Sequence, residues 1–521
     1  MNRKLAKFRY QISALSGLAA GGVFSFGLPS VLLPLFILPY FLIFVASPKI
    51  LNLKQSLKFS GLFFFSFFLV VLGWFLEVDA TLLAGLDEKY AGLFLALCLV
   101  IMAVVLALAC LPMGYVLYKL QSRLKTPSLK TAAILASAWV VLEWFRSVVF
   151  AAFLYAPGAS IGDYWNFGSL GLGLISSPAG YLSRIIGMYG LSALAVVCSI
   201  SLAWALGKRY KPLVWVLVFT FIGSLASYSL ITPENTSQPL KASVLQREGL
   251  YTDLDGPSAA IKYKDDSPKA LIVLSEYSAV HIAGNEAFSK RYVENRLSED
   301  GVSIDLSADF ISKPRYSLLE ARSSKGEIID LQTKQLLIPT GEYLPGILQL
   351  FYKLTAQNRI NDSFADTRQL LRGQPPHPIY TKHVTIAPVA CSGILGRNIY
   401  RQLVNDGGEV LTNSASLLIF SGSESYFRQS LQMARFHAIA NDRTYIQASM
   451  GAPAFAIDNK GNYIVAPEGK KTTFIDFEFQ PNDYKTVYTR FGEWPLLLSG
   501  TVMAVLALAR VNQSLKNRRK S

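Results

Sequence analysis

An apolar run, Val384-Thr-Ile-Ala-Pro-Val-Ala-Cys391, ends in a cysteine within the longest polar part of a 521-residue chain. Similar runs recur from Leu240 onward, and polar stretches separate them. Short apolar runs bounded by turn residues predict β-strands. Between these runs, residues 397–404 and 427–441 show the apolar spacing of helices. Strands that alternate with helices predict an α/β layered domain over residues 240–490.

The rest of the chain is strongly apolar. Hydrophobic residues make up 51% of the sequence, which is above the average for soluble domains. Residues 11–231 form a series of apolar segments close to the ~20 residues that a membrane-spanning helix needs. The predicted spans are 11–27, 30–47, 58–77, 91–118, 130–152, 184–206, 212–231 and 492–510. The sequence therefore predicts a multi-span α-helical membrane bundle (1–232), an extramembrane α/β domain (240–490), and a final transmembrane helix with a basic tail (492–521).

The positive charge follows the predicted topology. The net charge is +15, and nineteen Lys and Arg residues lie in five short segments that contain no Asp or Glu. These segments precede span 1, follow spans 2, 4 and 6, and end the chain. Basic residues in every second loop indicate that both termini are cytoplasmic and that residues 240–490 lie on the far side. The remaining residues have no basic excess, so the charge predicts no nucleic-acid partner.

Three polar residues near predicted strand ends can do chemistry together. Glu276 ends the apolar run that begins at Leu271, and Lys334 precedes a predicted strand over 335–338. Strand ends form the usual ligand crevice of α/β sheets, so we expect Glu276 and Cys391 to converge there with Lys334. This set predicts acyl transfer: Glu276 takes the thiol proton, the thiolate attacks an ester or amide carbonyl, and the lysine stabilises the oxyanion. The lysine should also lower the thiol pKa.

Each of these residues also has a purely structural interpretation. A single cysteine after a strand is commonly a small buried apolar residue. Glu276 and Lys334 could form a structural ion pair, and Glu342, after the predicted 335–338 strand, could be a turn residue. The four histidines lack metal-ligand spacing, and no phosphate-binding or dinucleotide fingerprint is present, so neither a metal nor a cofactor is predicted.

Two charged residues lie within a predicted span. Glu143 and Arg146 are three residues apart and share one helix face. Charges at membrane depth are costly unless they are paired, so the sequence predicts that these two neutralise each other, with substrate contact as the alternative.

The segment after Glu342, from Tyr343 to Tyr352, is rich in apolar and aromatic residues within a polar domain. It is either a buried core helix or a lid on the outer leaflet, because amphipathic aromatic segments settle at that interface. In the lid interpretation, Tyr343, Leu348 and Phe351 contact the acyl substrate.

Several motifs together resemble the apolipoprotein N-acyltransferases, which are polytopic inner-membrane enzymes with a nitrilase-type domain. The motifs are Trp139–Arg146, Ile186–Ser192, Lys334–Pro345, Gln432–Arg435 and Tyr488–Trp494. The order of segments along the whole chain is also similar. The resemblance implies an αββα nitrilase-like sandwich in the periplasm, with Glu276, Lys334 and Cys391 as the catalytic triad. It implies that Glu342 is an additional active-site glutamate.

The resemblance further implies a reaction and its partners. A phospholipid donates an acyl chain to the cysteine, and the thioester passes it to the α-amino group of a lipoprotein's diacylglyceryl-cysteine. A monomer in the bacterial inner membrane is expected. The family usually has Tyr and Glu after the nucleophile, where this chain has Ser392 and Gly393, and Ala440 replaces a helix glutamate. The alternatives are a related acyltransferase with another acceptor, and a catalytically silent scaffold that binds lipid or lipoprotein.

Overall fold

The structure is a computed structural model. It describes residues 8–46, 51–79, 88–157, 159–229, 237–249, 268–276, 278, 296–308 and 314–518. Apolar helices come first in the chain. They are α1 (Arg9–Ser25), α2 (Leu33–Ala46), α3 (Leu53–Val71), α4 (Glu88–Cys110), α5 (Pro112–Leu124), α6 (Leu129–Phe153), α7 (Leu170–Leu174), α8 (Ser183–Leu206) and α9 (Lys211–Ser229).

Local chemistry explains several helix boundaries. Asn52 begins α3 with a capping box, in which Asn52 and Gln55 exchange side-chain to backbone hydrogen bonds of 2.9 and 3.2 Å. Pro112 lies at the first turn of α5, where α4 passes into α5 within the continuous apolar segment Ala91–Leu124 that contains the predicted span 91–118. Gly187 interrupts α8 with a φ of +61°, a conformation that glycine adopts readily.

Six helices of the described residues are long and apolar enough to cross a membrane. They are Leu53–Glu77, Ala91–Leu124, Leu129–Phe153, Pro178–Leu206, Lys211–Ser229 and Trp494–Gln513. The first two of the eight predicted spans correspond to shorter helices, α1 with 17 residues and the apolar segment Ser30–Ala46. Pro29 and the left-handed Gly27 separate them.

The α/β part contains strands, helices and a final apolar helix. The strands are β1 (Leu240–Arg247), β2 (Lys269–Val273), β3 (Leu297–Ala308), β4 (Ser317–Ser323), β5 (Ile328–Thr333), β6 (Ile379–Tyr380), β7 (Thr385–Ala390), β8 (Val410–Ser416), β9 (Thr444–Met450), β10 (Phe455–Ile457), β11 (Tyr463–Val465) and β12 (Thr473–Phe479). The helices are α10 (Gly346–Leu354), α11 (Asn358–Thr367), α12 (Arg397–Asn405), α13 (Glu424–Asn441), α14 (Val487–Phe491) and α15 (Trp494–Arg518).

The described strands form one sheet that curves around its own core. The order along the sheet is β5-β4-β3-β2-β1-β9-β8-β7-β6. The pairs β1/β2, β2/β3, β1/β9, β8/β9 and β7/β8 are parallel. Strands β3 and β8 are four positions apart in this order, yet they contact each other. Alternate residues of both halves, such as Val273 and Ile304 against Val410 and Ile446, share one apolar core.

Helices cover the outer face of the β7–β9 half. Ala387, Leu411 and Tyr445 point away from the inner core and join the larger apolar cluster that includes α12, α13 and the membrane helices. The connections between β1, β2 and β3 lie mainly outside the described residues. The predicted class, a multi-span helical bundle with an extramembrane α/β domain, is confirmed.

Two predicted strands are wrong. Residues 335–338 follow β5 but form a loop, because the backbone turns back there and Glu342 N–H bonds to Ile338 O at 2.9 Å. A strand was also predicted over 416–420. In the structure, β8 ends at Ser416, and Leu418–Phe420 form a short 3₁₀ turn. Apolar residues in both segments are buried as in a strand, which is why the pattern misled.

Candidate active site

The parallel strands bring Glu276 and Cys391 to the same edge of the sheet. Cys391 directly follows β7, and Glu276 lies three residues beyond β2. Ser416, the last residue of β8, connects them: its N–H donates to Glu276 Oε2 at 2.9 Å, and its carbonyl oxygen lies 3.9 Å from Cys391 Sγ. The Glu276 carboxylate is within hydrogen-bonding reach of the thiol. The structure thus brings together the two residues expected to converge.

Lys334 lies between two carboxylates in the same buried space. Its Nζ is 2.8 Å from Glu342 Oε1 and 3.8 Å from Glu276 Oε1. The second Glu342 oxygen accepts from Ile338 N–H at 2.8 Å, so the loop itself orients this carboxylate. All three charged side chains are buried. The lysine ammonium therefore has a fixed position, set by two anions and by the loop.

A strained turn presents the nucleophile candidate. Cys391 has a φ of +42°, an uncommon conformation for a residue with a side chain, and it starts the 3₁₀ turn Cys391–Leu395, here called the nucleophile turn. Asn413 Nδ2 donates to the Cys391 carbonyl at 3.3 Å. Ser392 Oγ donates to the Leu336 carbonyl and so connects this turn to the lysine loop. Strain of this kind is common at reactive centres.

Burial dominates the protonation of the site. It raises the pKa of the Cys391 thiol, the carboxylates of Glu276 and Glu342 raise it further, and Lys334 lowers it only in part. The expected lowering of the thiol pKa by lysine is therefore outweighed. Burial likewise raises the pKa of Glu276, against the effect of Lys334. Burial acts to lower the pKa of Lys334, but Cys391, Glu342 and Glu276 raise it above its ordinary value, so it remains a cation.

An apolar cavity of about 510 Å³ adjoins this polar group. Its wall combines membrane helices, such as Phe94 and Met102 of α4, with Phe150 of α6 and residues of the α/β part. Cys391 lies one residue from the wall, at Ser392, and Tyr426 also faces the cavity. A thiol, a carboxylate and a cation beside an apolar space can carry out acyl transfer to or from a long-chain ester.

The three predicted lipid contacts have different environments. Tyr343 is buried, and its hydroxyl donates to the Leu154 carbonyl at 3.1 Å, so it connects the loop to the end of α6. Leu348 and Phe351, both on α10, line the cavity. Phe351 is 49% exposed, so the buried-core interpretation of α10 does not describe its outer face.

The chain is similar to known proteins over most of its length. A family model described as the apolipoprotein N-acyltransferase N-terminal domain matches residues 16–201. A protein named apolipoprotein N-acyltransferase from Shewanella oneidensis is 23% identical over 544 residues, which cover 98% of this chain and 100% of that protein. One of the same name from Allorhizobium ampelinum is 25% identical over 501 residues, 88% of each chain. The chain is therefore similar to apolipoprotein N-acyltransferases, over residues 16–201 to their N-terminal domain and over most of its length to the two named proteins. It is a multi-pass membrane protein.

Solved structures also superpose on about half of the chain. A carbon-nitrogen hydrolase from Helicobacter pylori is 17% identical, covers 50% of this chain and 94% of its own, and has a TM-score of 0.34. A nitrilase-superfamily protein from Saccharomyces cerevisiae is 15% identical, covers 48% and 93%, and has a TM-score of 0.36.

Gly393 occupies a crowded position in the nucleophile turn. A Cβ atom added at Gly393 would lie 2.0 Å from Val389 Cγ1, so no larger residue fits there while Val389 keeps its position. Among the described residues, no group of three or more His, Cys, Asp or Glu side chains could hold a metal ion.

Sequence reasoning missed an aromatic part of the site. Trp74 packs against Tyr426 and Phe420 with ring centroids 5.0 and 5.5 Å apart, and Tyr426 stacks on Phe420 at 3.6 Å. Phe167 adjoins Trp74 at 5.4 Å. All four residues line the cavity. Only the concentration of aromatic residues near predicted span ends could have indicated them.

The predicted pairing of Glu143 with Arg146 is wrong for these described residues. Both are buried, but Arg146 Nη1 donates to the Phe167 carbonyl at 2.8 Å, and Glu143 Oε1 accepts from Leu170 N–H at 2.8 Å. Each charged side chain therefore bonds to a different backbone group of the segment after α6, and not to the other side chain. The sequence could not show this, because that segment folds back from twenty or more residues away.

Proposed function

We propose that this protein is a membrane N-acyltransferase. It takes an acyl chain from a phospholipid onto Cys391 and passes it to the α-amino group of a lipoprotein's N-terminal diacylglyceryl-cysteine. One observation carries the proposal: a buried Cys391–Glu276–Lys334 group adjoins an apolar cavity walled by membrane helices. The names of the family relatives agree with it.

The first half-reaction loads the thiol. Because burial keeps Cys391 protonated, attack requires a base, and the Glu276 carboxylate is adjacent to it. The thiolate attacks the phospholipid ester carbonyl, and the Lys334 ammonium stabilises the resulting oxyanion. The ester C–O bond then breaks, Glu276 returns its proton to the departing lysophospholipid hydroxyl, and a thioester remains. Glu342 holds the ammonium in position through the 2.8 Å ion pair.

The second half-reaction unloads the thiol. The acceptor amine attacks the thioester carbonyl, and Lys334 again stabilises the oxyanion. Glu276 takes a proton from the amine nitrogen, the C–S bond breaks, and that proton neutralises the thiolate. The product is an amide, and the enzyme regains its starting state.

The cavity suits the acyl chain of the donor, and α10 suits a lid. Exposing an acyl chain to water costs about 0.8 kcal/mol per CH₂ group, and an apolar cavity beside the bilayer avoids that cost when the chain leaves the membrane. Apolar residues of α10 line the cavity, among them Leu348 and Phe351, and two more of its lining residues, Ile347 and Leu354, are also exposed at 46% and 77%. Exposed apolar side chains on an amphipathic helix suit a bilayer surface. The basic segments between spans support a position of this surface at the periplasmic leaflet of the bacterial inner membrane.

The direct test is covalent loading of the purified protein. The purified protein is incubated with phosphatidylethanolamine vesicles, and its intact mass is measured with and without hydroxylamine, which cleaves thioesters. We expect a mass increase of one acyl group on Cys391 that hydroxylamine removes, with no increase in Cys391→Ala. Acylation of wild type and variant alike would exclude the assigned nucleophile, and no acylation at all would favour the scaffold.

A second measurement identifies the acceptor. Mass spectrometry of lipoprotein N-termini from cells that lack this gene should show free α-amino groups. Fully acylated lipoproteins in those cells, combined with normal loading in vitro, would point to another acceptor.

A further inference from the structure

The segment Asp163–Leu170, here called the strap, crosses from the end of α6 to the site. Two buried charges of α6 hold its second half. Arg146 donates to the Phe167 carbonyl at 2.8 Å. Glu143 accepts from Leu170 N–H at 2.8 Å, and its other oxygen accepts from Ser169 Oγ at 3.1 Å.

The strap in turn contacts the nucleophile turn. Asn166 Nδ2 donates to the Leu395 carbonyl at 2.8 Å, and both residues are buried. Leu395 is the last residue of the turn that Cys391 begins. Next to that turn, Asp163 forms an ion pair with Arg397, whose guanidinium also donates to the Tyr189 hydroxyl at 2.8 Å. The strap therefore supports the nucleophile turn, and the backbone of that turn orients the Cys391 thiol.

The strap also forms part of the cavity wall and has little room to move. Trp165 and Phe167 line the cavity. Gly168 has a φ of +70°, and a Cβ atom there would lie 2.7 Å from Phe67 Cε1 of α3. At Gly168 the strap therefore packs directly against α3. A shift at Phe167 would therefore change the cavity wall and the support of Leu395 together.

We propose that Glu143 and Arg146 are positioning residues of the acyltransferase site, and that they act on Cys391 through the strap. The identity of the substrate in this inference rests on the proposed function, whereas the contacts of the strap do not depend on it. Two separately bound buried charges are a costly way to fill a helix bundle, since apolar residues would stabilise it equally well. Their hydrogen bonds fix the strap in one register, which apolar packing would not do.

The test compares Arg146→Met with Arg146→Lys. A lysine ammonium can still donate to the Phe167 carbonyl, whereas methionine cannot. We expect Arg146→Met to slow thioester formation at saturating phospholipid by ~10- to 100-fold, the usual effect of a small misplacement of reacting groups. We also expect it to shift the pH profile of Cys391 alkylation by iodoacetamide. Arg146→Lys should recover most of both.

A double-mutant cycle tests the route. Asn166→Leu removes the contact with Leu395 and leaves the α6 contacts in place. If Arg146 acts through the strap, Arg146→Met should have little further effect in the Asn166→Leu background. Independent, multiplying effects would overturn the route through Asn166, and unchanged alkylation in Arg146→Met would overturn the positioning role.

A matched control separates positioning from stability. Gln121 is also buried in the bundle, where it exchanges hydrogen bonds with the Leu51 backbone at 2.9 and 3.0 Å. Gln121→Leu should lower the melting temperature about as much as Arg146→Met and leave the alkylation profile unchanged. Equal changes in both profiles would mean that Arg146 only stabilises the fold. Alkylation needs no phospholipid. A wild-type protein that forms no thioester would therefore contradict the proposed function, but the alkylation test of Arg146 would still be valid.

Discussion

Replacing Lys334 by methionine removes a buried cation that lies between two carboxylates. Its Nζ is 2.8 Å from Glu342 and 3.8 Å from Glu276. At an effective dielectric constant of about 20, unit charges at such distances attract by ~4 kcal/mol or more. Breaking a buried ion pair by removing one partner costs about 3–5 kcal/mol. We expect a loss of this size in the free energy of unfolding at neutral pH.

The size of this loss should depend on pH. Burial raises the pKa of Glu276 above its ordinary 4.5, and Lys334 opposes that increase. Without the lysine, the folded-state pKa of this carboxyl rises further. A group with a raised folded-state pKa stabilises the fold below its unfolded pKa and loses that contribution as the pH rises through the folded value. The deficit relative to wild type should therefore be small near pH 4.5 and grow toward pH 8.

Two measurements check this account. Thermal unfolding in detergent from pH 5 to pH 8 reports the stability deficit, and intact mass reports the rate of thioester formation. The rate should fall by roughly 10²–10³ because an oxyanion donor is lost. Lys382→Met is a matched control, since Lys382 pairs with Asp300 on the surface and should affect neither measurement. A deficit that is constant with pH, or a wild-type rate of loading, would refute the reasoning.

Three further predictions concern the thiol, the lid and the nucleophile turn. Cys391→Ala and Cys391→Ser should form no thioester yet remain folded, with a stability change of ~1 kcal/mol; loading of either variant in the mass assay would contradict this. Replacing Leu348 and Phe351 by Asp should slow loading from phospholipid and hardly change alkylation by iodoacetamide, whereas equal loss in both assays with a lower melting temperature would indicate core packing. Gly393→Glu should lower the melting temperature, and adding Val389→Ala should recover part of the loss, because the new Cβ atom lies 2.0 Å from Val389 Cγ1; an unchanged melting temperature in the single variant would argue against the clash.

The meeting of Glu276 and Cys391 was predictable, because both follow parallel strands and the carboxyl ends of such strands lie at one edge of a sheet. The ion pair of Lys334 with Glu342 was harder to foresee. It depends on a loop over 335–338 whose buried apolar residues imitate a strand. Local patterns report which residues are buried, but they do not report the direction in which the backbone leaves a strand.

The contacts of Glu143 and Arg146 were not predictable from local spacing. The spacing rule for helices places the two side chains on one face, and it is silent about distant backbone groups that compete for them. In the fold, the carbonyl of Phe167 and the N–H of Leu170 satisfy these charges. The aromatic cavity wall was unpredictable for the same reason. Trp74 and Tyr426 are distant in the sequence and come into contact only where the bundle packs against the α/β part.

The polar group and the apolar cavity depend on each other. Excluding water from the site strengthens the interactions of the Lys334 ammonium and would protect the proposed thioester from hydrolysis. The same exclusion makes isolated charges costly, which is why Lys334, Glu276 and Glu342 are buried as a group with defined hydrogen bonds. An acyl chain in the cavity would complete this exclusion, since it covers the side of the nucleophile turn at Ser392. Binding of the proposed donor would therefore strengthen the stabilisation of the oxyanion by Lys334, so a long acyl chain should raise the rate of loading.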